Sequence, residues 1–196
     1  GDILQFSLAD EDALVSDASS LDGDFPLESD EMSISTTTIG SYTIAAGPDN
    51  PSSDYNPEAG DLDVRLLQWK ITASGEALNL ESFTLVENGT AASTDYESLK
   101  VYDETNSKVL CEGDSWNASG KFTCLPDEAV SIGKGDSINF ALKVDIKSGS
   151  GTTMSAKIRD SGAYGVKFIG DEYGYIVGSS SAWAGTGTAQ TIAAGA

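Results

Sequence analysis

Histidine is absent from this chain of 196 residues. That removes the usual general base of a catalytic triad and the commonest transition-metal ligand. Cysteine is nearly absent, with only Cys111 and Cys124. Their spacing and the lack of further thiols exclude a CxxC redox site and a zinc ribbon. Bases are scarce, with 11 Lys and Arg against 31 Asp and Glu, a formal charge of −20. A surface of that sign repels phosphate, so nucleic acid is excluded as a partner and anionic membrane surfaces are disfavoured. No apolar run reaches the roughly 18 residues of a spanning helix, so membrane insertion is not expected. Carboxylate pairs could serve glycoside hydrolysis, but no aromatic-lined cleft is legible around any of them. No enzyme is expected.

The charge that is present is uneven. Residues 1–64 carry 15 acids and no base, and Arg65 is the first cation. The plain reading is a solvated, partly irregular N-terminal third. Divalent-cation binding or pairing with a neighbouring subunit is the sharper one.

Period two dominates the rest. In "DVRLLQWKITA" (63–73) the pattern predicts one face of Arg65, Leu67, Trp69, Ile71 and Ala73, and in "DSINFALKVDI" (136–146) a face of Ile138, Phe140, Leu142, Val144 and Ile146. The segments 77–87, 98–104, 152–159, 165–170 and 173–178 alternate likewise, with turn signals such as "ENGTAAS", "GKGD" and "KSGSG" between them. This predicts an all-β antiparallel sandwich, immunoglobulin-like or jelly-roll-like, over residues 32–178. Helix signals are thin, with at most one or two turns in 8–21. Residues 1–31 read as an acidic N-terminal segment. The small-residue tail 179–196 reads as a loose end or a strand around "GTAQTIAA".

Cys111 and Cys124 sit in strand-like runs, "KVLCE" and "KFTCL", separated by a Gly/Ser/Asn/Asp-rich segment. A hairpin would bring the sulfurs together across its ladder; two reduced, buried thiols are the alternative. A disulfide closing a loop of about 14 residues stabilises by about 3 kcal/mol. It would also place the chain outside the reducing cytosol.

The stretch "SISTTTIGSYTIAAGPDNPSSDYNPEAGDLDVRLLQWKITASGEALNLESFTLVENG", then "SLKVYDETNSKVL" and "VSIGKGDSINFALKVDIKSGSGTTMSAKI", resembles the immunoglobulin-like β-sandwich modules of prokaryotic cell-surface proteins, S-layer and filament components among them. The resemblance implies an extracellular or cell-surface location. It also implies a role as a spacer, an adhesive unit or a lattice subunit. It carries over no catalytic residue.

Several residues are candidates for sites. Calcium takes clustered oxygen ligands in loops. "SLDGDFPLESDE" offers Asp22 and Asp24, with Glu28, Asp30 and Glu31; "PEAGDLDV" offers Asp61 and Asp63 beside Glu58. Asp22-Gly-Asp24 is similar to the start of an EF-hand loop, but the required glycine and final glutamate are missing, so simple solvation competes with a different calcium site. Asn88 in "NGT" and Asn117 in "NAS" are glycosylation acceptor motifs in turn-like loops. Trp116, in the loop between the cysteines, would anchor a partner or a carbohydrate if exposed, or pack inward if not. Lys70, Lys143 and Asp145 could contribute to an intramolecular crosslink.

The chain opens "GDILQFSL", a strand-like run at an extreme terminus. Alternation puts Leu4, Phe6 and Leu8 on one face and Ile3, Gln5 and Ser7 on the other. An unpaired apolar strand exposes an edge, so it needs a partner. The partner could lie in its own sandwich or in that of another copy, reached across the acid-only tether 9–31. Donation of Ile3, Leu4, Phe6 and Leu8 to a neighbouring copy would build a homopolymer, because a head-to-tail contact need not close. Burying three large side chains would supply roughly 5–8 kcal/mol before ordering costs. The expected function is a self-assembling subunit of an extracellular filament, tube or surface layer. A carbohydrate- or surface-binding module and a spacer are the alternatives.

Overall fold

A computed structural model describes residues 2–19, 22–34, 37–52, 54–159, 165–179 and 185–195. The chain divides into two units, Gly1–Thr38 and Ile39–Ala196.

The first unit is a narrow ribbon. Strands β1 (Ile3–Leu4), β2 (Ser7–Leu8), β3 (Leu27–Glu28) and β4 (Met32–Ser33) pair antiparallel, β1 with β4 and β2 with β3. The amide of Ser29 donates to Phe6 O at 2.8 Å and that of Ile34 to Asp2 O at 2.7 Å, so the pairing runs on between the short strands. A 3-10 turn at Glu11–Ala13 lies in the connecting loop. This corrects one expectation: the strand at Ile3–Leu8 is not a lone strand ahead of a free tether, because Leu27–Glu28 and Met32–Ser33 pair with it.

The second unit is all-β, a sandwich of antiparallel sheets, with no α-helix among the described residues. Its strands are β5 (Ser41–Ala46), β6 (Val64–Ser74), β7 (Leu78–Glu87), β8 (Tyr96–Asp103), β9 (Lys108–Gly113), β10 (Lys121–Cys124), β11 (Ser131–Ile132), β12 (Ser137–Ile146), β13 (Thr153–Met154), β14 (Ala156–Ile158), β15 (Val166–Gly170), β16 (Ile176–Val177) and β17 (Gln190–Thr191). One sheet has the order β5-β6-β12-β8-β9. The other is built on β7. Phe83 and Leu85 of β7 face β10 on one side and β15 and β14 on the other, β11 continues the line of β10, and β16 lies outside β15.

The core lies between these sheets. Trp69 of β6 meets Phe83 of β7 edge-on at 5.1 Å between ring centroids and stacks on Phe140 of β12 at 5.9 Å. Phe83 and Phe140 close the triangle at 5.0 Å. Each such side chain contributes about 1.5–3 kcal/mol by leaving water. Tyr42 of β5 crosses to the other sheet, packing on Phe168 and donating its hydroxyl to Val166 O at 3.2 Å.

The two longest core strands do not keep strict alternation. Leu142 pairs with Leu67 but the next residue, Lys143, pairs with Arg65, so Leu66 is an extra residue in β6. Leu66 and Leu67 are both buried, Val64 turns inward, and Arg65 lies on the face opposite Trp69. The expected face of Arg65 with Trp69 is therefore corrected by a β-bulge, which shifts side-chain parity by one residue. A similar slip at Glu81 lets Leu78 and Leu80, then Phe83 and Leu85, all point inward from β7.

The described residues of the tail, 179 and 185–195, belong to the sandwich. Its strand β17 pairs with β13, Ile192 is buried, and single bridges tie Ser179 to Tyr42, Thr186 to Lys157 and Ala193 to Glu58.

Candidate functional site

The expected donor residues lie on the ribbon and stay open to solvent. Ile3 is 60% exposed and Phe6 63%, Leu4 is exposed and Leu8 half-buried. The opposite limb adds Leu27, Met32 and Ile34, also exposed. No described residue of Gly1–Thr38 is buried. The ribbon is held by main-chain hydrogen bonds and a few polar contacts, such as Phe6 N donating to Ser29 Oγ at 3.1 Å.

The cysteines form a disulfide, with Cα atoms 5.6 Å apart. It does not cross a hairpin ladder. Cys111 belongs to β9, at the edge of the five-stranded sheet, and Cys124 to β10 in the opposite sheet. The bond therefore staples the two layers, and the segment between them crosses from one sheet to the other. Trp116 on that crossing is only 3% exposed and meets Tyr96 edge-on at 6.3 Å. Its burial corrects the reading of an exposed anchor for a ligand.

The acidic candidates are dispersed. Asp61 accepts the Glu58 amide at 2.8 Å, and Asp63 pairs with Lys100 at 3.2 Å. Asp22 and Asp24 are exposed on the ribbon loop. Among the described residues no three acidic or cysteine side chains form a metal-holding group. The two glycosylation motifs differ. Asn88 is exposed but donates its amide to Ser155 Oγ at 3.2 Å. Asn117 is exposed, and its Oδ1 accepts the amides of Ser119 at 2.9 Å and Lys121 at 3.1 Å. Lys143 pairs with Glu104 at 3.1 Å, and Asp145 accepts the Asp63 amide at 2.8 Å, so each has another partner than the other.

The residues that organise the surface were not singled out in the sequence. Glu104, just past β8, receives Arg65 Nη2 at 2.6 Å, Lys143 Nζ at 3.1 Å and the Gln68 side-chain amide. Burial pushes the Glu104 carboxyl up, but these three donors prevail and hold it below the usual carboxylate range. Gln68, 1% exposed, is the hub of the outer face. Its Oε1 accepts the Asp49 amide at 2.6 Å, its backbone N–H donates to Asn50 Oδ1 at 2.8 Å, and its carbonyl accepts the Gly47 amide at 3.0 Å. A Cβ at position 47 would lie 2.3 Å from Gln68 Oε1, so a larger residue there would push the glutamine side chain out of place. A charged cluster on a sheet's outer face normally reads as solvation. What distinguishes this one is a buried glutamine linking loop, strand and carboxylate, and no spacing in the sequence announces it.

Compared with known proteins, the sequence matches no family model and no curated protein.

Proposed function

We propose that the protein is a structural subunit of an extracellular filament, tube or surface layer whose copies join through the N-terminal ribbon. One observation carries this reading: among the described residues of the ribbon no side chain is buried, and its two limbs leave Ile3, Leu4, Phe6, Leu27, Met32 and Ile34 exposed. A two-stranded ribbon is marginal in water without a further strand or a surface to cover it. So many exposed large apolar side chains on one short element favour an association surface.

The occupant is another copy. Each strand of the ribbon spends one edge on its mate, and the other edge keeps backbone groups that can extend a sheet. The proposed acceptor is the outer edge of the five-stranded sheet, of which β9 is the terminal strand. Strand β9 pairs with β8 along one edge, and on its other edge Leu110 O takes the Asp127 amide. Strand donation between copies thus becomes donation of a two-limbed ribbon. The disulfide supports an oxidising, extracellular setting, and the resemblance to cell-surface sandwich modules points the same way.

The test is truncation. Removal of residues 1–38 should leave a folded sandwich that stays monomeric at concentrations where the full chain forms polymers visible by electron microscopy. Polymers of the truncated chain, or a full chain that stays monomeric at every concentration and ionic strength, would refute the proposal.

A further inference from the structure

The outer face of the five-stranded sheet carries a groove of ≈ 440 Å³ between the loop after β5 and the floor formed by β6 and β12. That volume is within the range of small-ligand sites. The floor presents Arg65 and Lys143, the residue just ahead of β6 is Asp63, and the loop presents Asp49, Asn50 and the ring of Tyr55.

The floor and the first part of the loop are held in advance. Glu104 anchors the two floor cations, and Lys143 also lies 4.3 Å from the centre of the Tyr102 ring. Gln68 holds the loop through the Gly47 and Asp49 amides and the Asn50 side chain. A ligand therefore meets groups that need little ordering on binding.

The chemistry of the lining selects among ligand classes. Two cations, Arg65 and Lys143, face two carboxylates, Asp49 and Asp63, so the groove has no net formal charge. An anion would meet the carboxylates as well as a chain of charge −20, and a cation would meet the guanidinium and ammonium groups. An apolar ligand would strip water from four charges without replacing its hydrogen bonds. A neutral polyhydroxylated ligand has neither fault. Its hydroxyls accept from Arg65, Lys143 and the Asn50 amide, and donate to Asp49 and Asp63. Tyr55, 45% exposed, supplies an aromatic face for the C–H side of a sugar ring. We propose that this groove binds a neutral oligosaccharide, with Tyr55 as the stacking platform and Gln68 as a positioning residue.

The full chain would be titrated with cellotetraose, mannotetraose and chitotetraose, each neutral, and with tri-galacturonate, by saturation-transfer NMR and calorimetry. At least one neutral sugar should bind, with transfer strongest at ring C–H protons. Tyr55→Ala, at an exposed loop position, should weaken that binding about tenfold or more with Tm unchanged. Gln68→Leu should also weaken it with Tyr55 intact; if that variant fails to fold, Tyr55→Ala and Asp49→Asn carry the test. No transfer to any neutral sugar at millimolar concentration, tighter binding of tri-galacturonate, or binding indifferent to Tyr55→Ala would overturn the assignment.

Discussion

The carboxylate of Glu76, on the turn from β6 to β7, accepts the amide of Gly40 at 2.8 Å, ahead of the first strand of the sandwich. Its second oxygen accepts the amides of Glu172 at 2.7 Å and Tyr173 at 3.2 Å, in the turn from β15 to β16. One side chain thus ties three distant stretches of chain. The approach is so close that a Cβ at Gly170 would lie 2.3 Å from Glu76 Oε1.

Burial raises the Glu76 carboxyl, but the three amides prevail and hold it below the ordinary value of 4.5. A carboxylate held low in the folded state stabilises above its unfolded pKa, and that contribution is lost as pH falls through the folded one. Tm should therefore drop below about pH 4.5, and Glu76→Gln should start several degrees lower and fall less steeply across the same window. Thermal melts of both proteins from pH 6 to pH 3 check this. Parallel curves would show that Glu76 is not responsible.

The disulfide joins opposite layers across a short segment, so its loss should loosen the edge formed by β9 and β10. Closing a loop of this length is worth about 3 kcal/mol. Cys111→Ala with Cys124→Ala should then lower Tm by roughly 6–12 °C while leaving the far-UV spectrum all-β. A change below about 2 °C would mean that the core clamps the layers without it.

Strand type was readable because alternation in 63–73 and 136–146 reports half-buried strands directly, whereas the order of strands in each sheet rests on long-range pairing that no local pattern reports. Inward parity past Leu66 was not, since a bulge is decided by the partner strand and leaves no local mark. The cysteine pair was visible, but its geometry was not: the same spacing suits a hairpin or a crossing between sheets, and the burial of Trp116 follows from the crossing. Gln68 and Glu76 look like ordinary polar residues of a strand and a turn. Their importance lies in hydrogen bonds to residues 18–97 positions away. The ribbon was half legible. Its first limb reads as a strand, whereas the mate "PLESDEMSI" is too acidic and irregular to be seen as one.

Glu104 balances two cations at once, and this predicts an asymmetric pair of variants. Glu104→Gln leaves Arg65 and Lys143 adjacent and half-buried, without the carboxylate that bonds them both. Since these side chains keep 15–30% of their exposure, the expected loss is about 1–3 kcal/mol, less than for a fully buried pair. Adding Lys143→Met to Glu104→Gln removes one of the stranded cations and should recover part of the loss. Urea unfolding of both variants measures this, and a double variant less stable than Glu104→Gln alone would contradict it.

The proposed assembly through the ribbon would have to overcome repulsion between like-charged copies. Residues 1–38 carry 10 acids and no base, half of the net charge of −20. Raising ionic strength from about 0.01 to 0.15 M shortens the screening length from about 30 to about 8 Å. Polymer formation should therefore accelerate with salt, and magnesium or calcium should promote it at least as well as sodium at equal ionic strength. Contact chemistry separates from charge in two matched variants. Phe6→Asp and Val15→Asp each add one acid at an exposed apolar position, but only Phe6 lies between the paired segments of the ribbon. Light scattering should show Phe6→Asp failing to polymerise even at high salt, while Val15→Asp recovers wild-type behaviour once its extra charge is screened. Equal behaviour of the two at high salt would place the contact elsewhere on the chain.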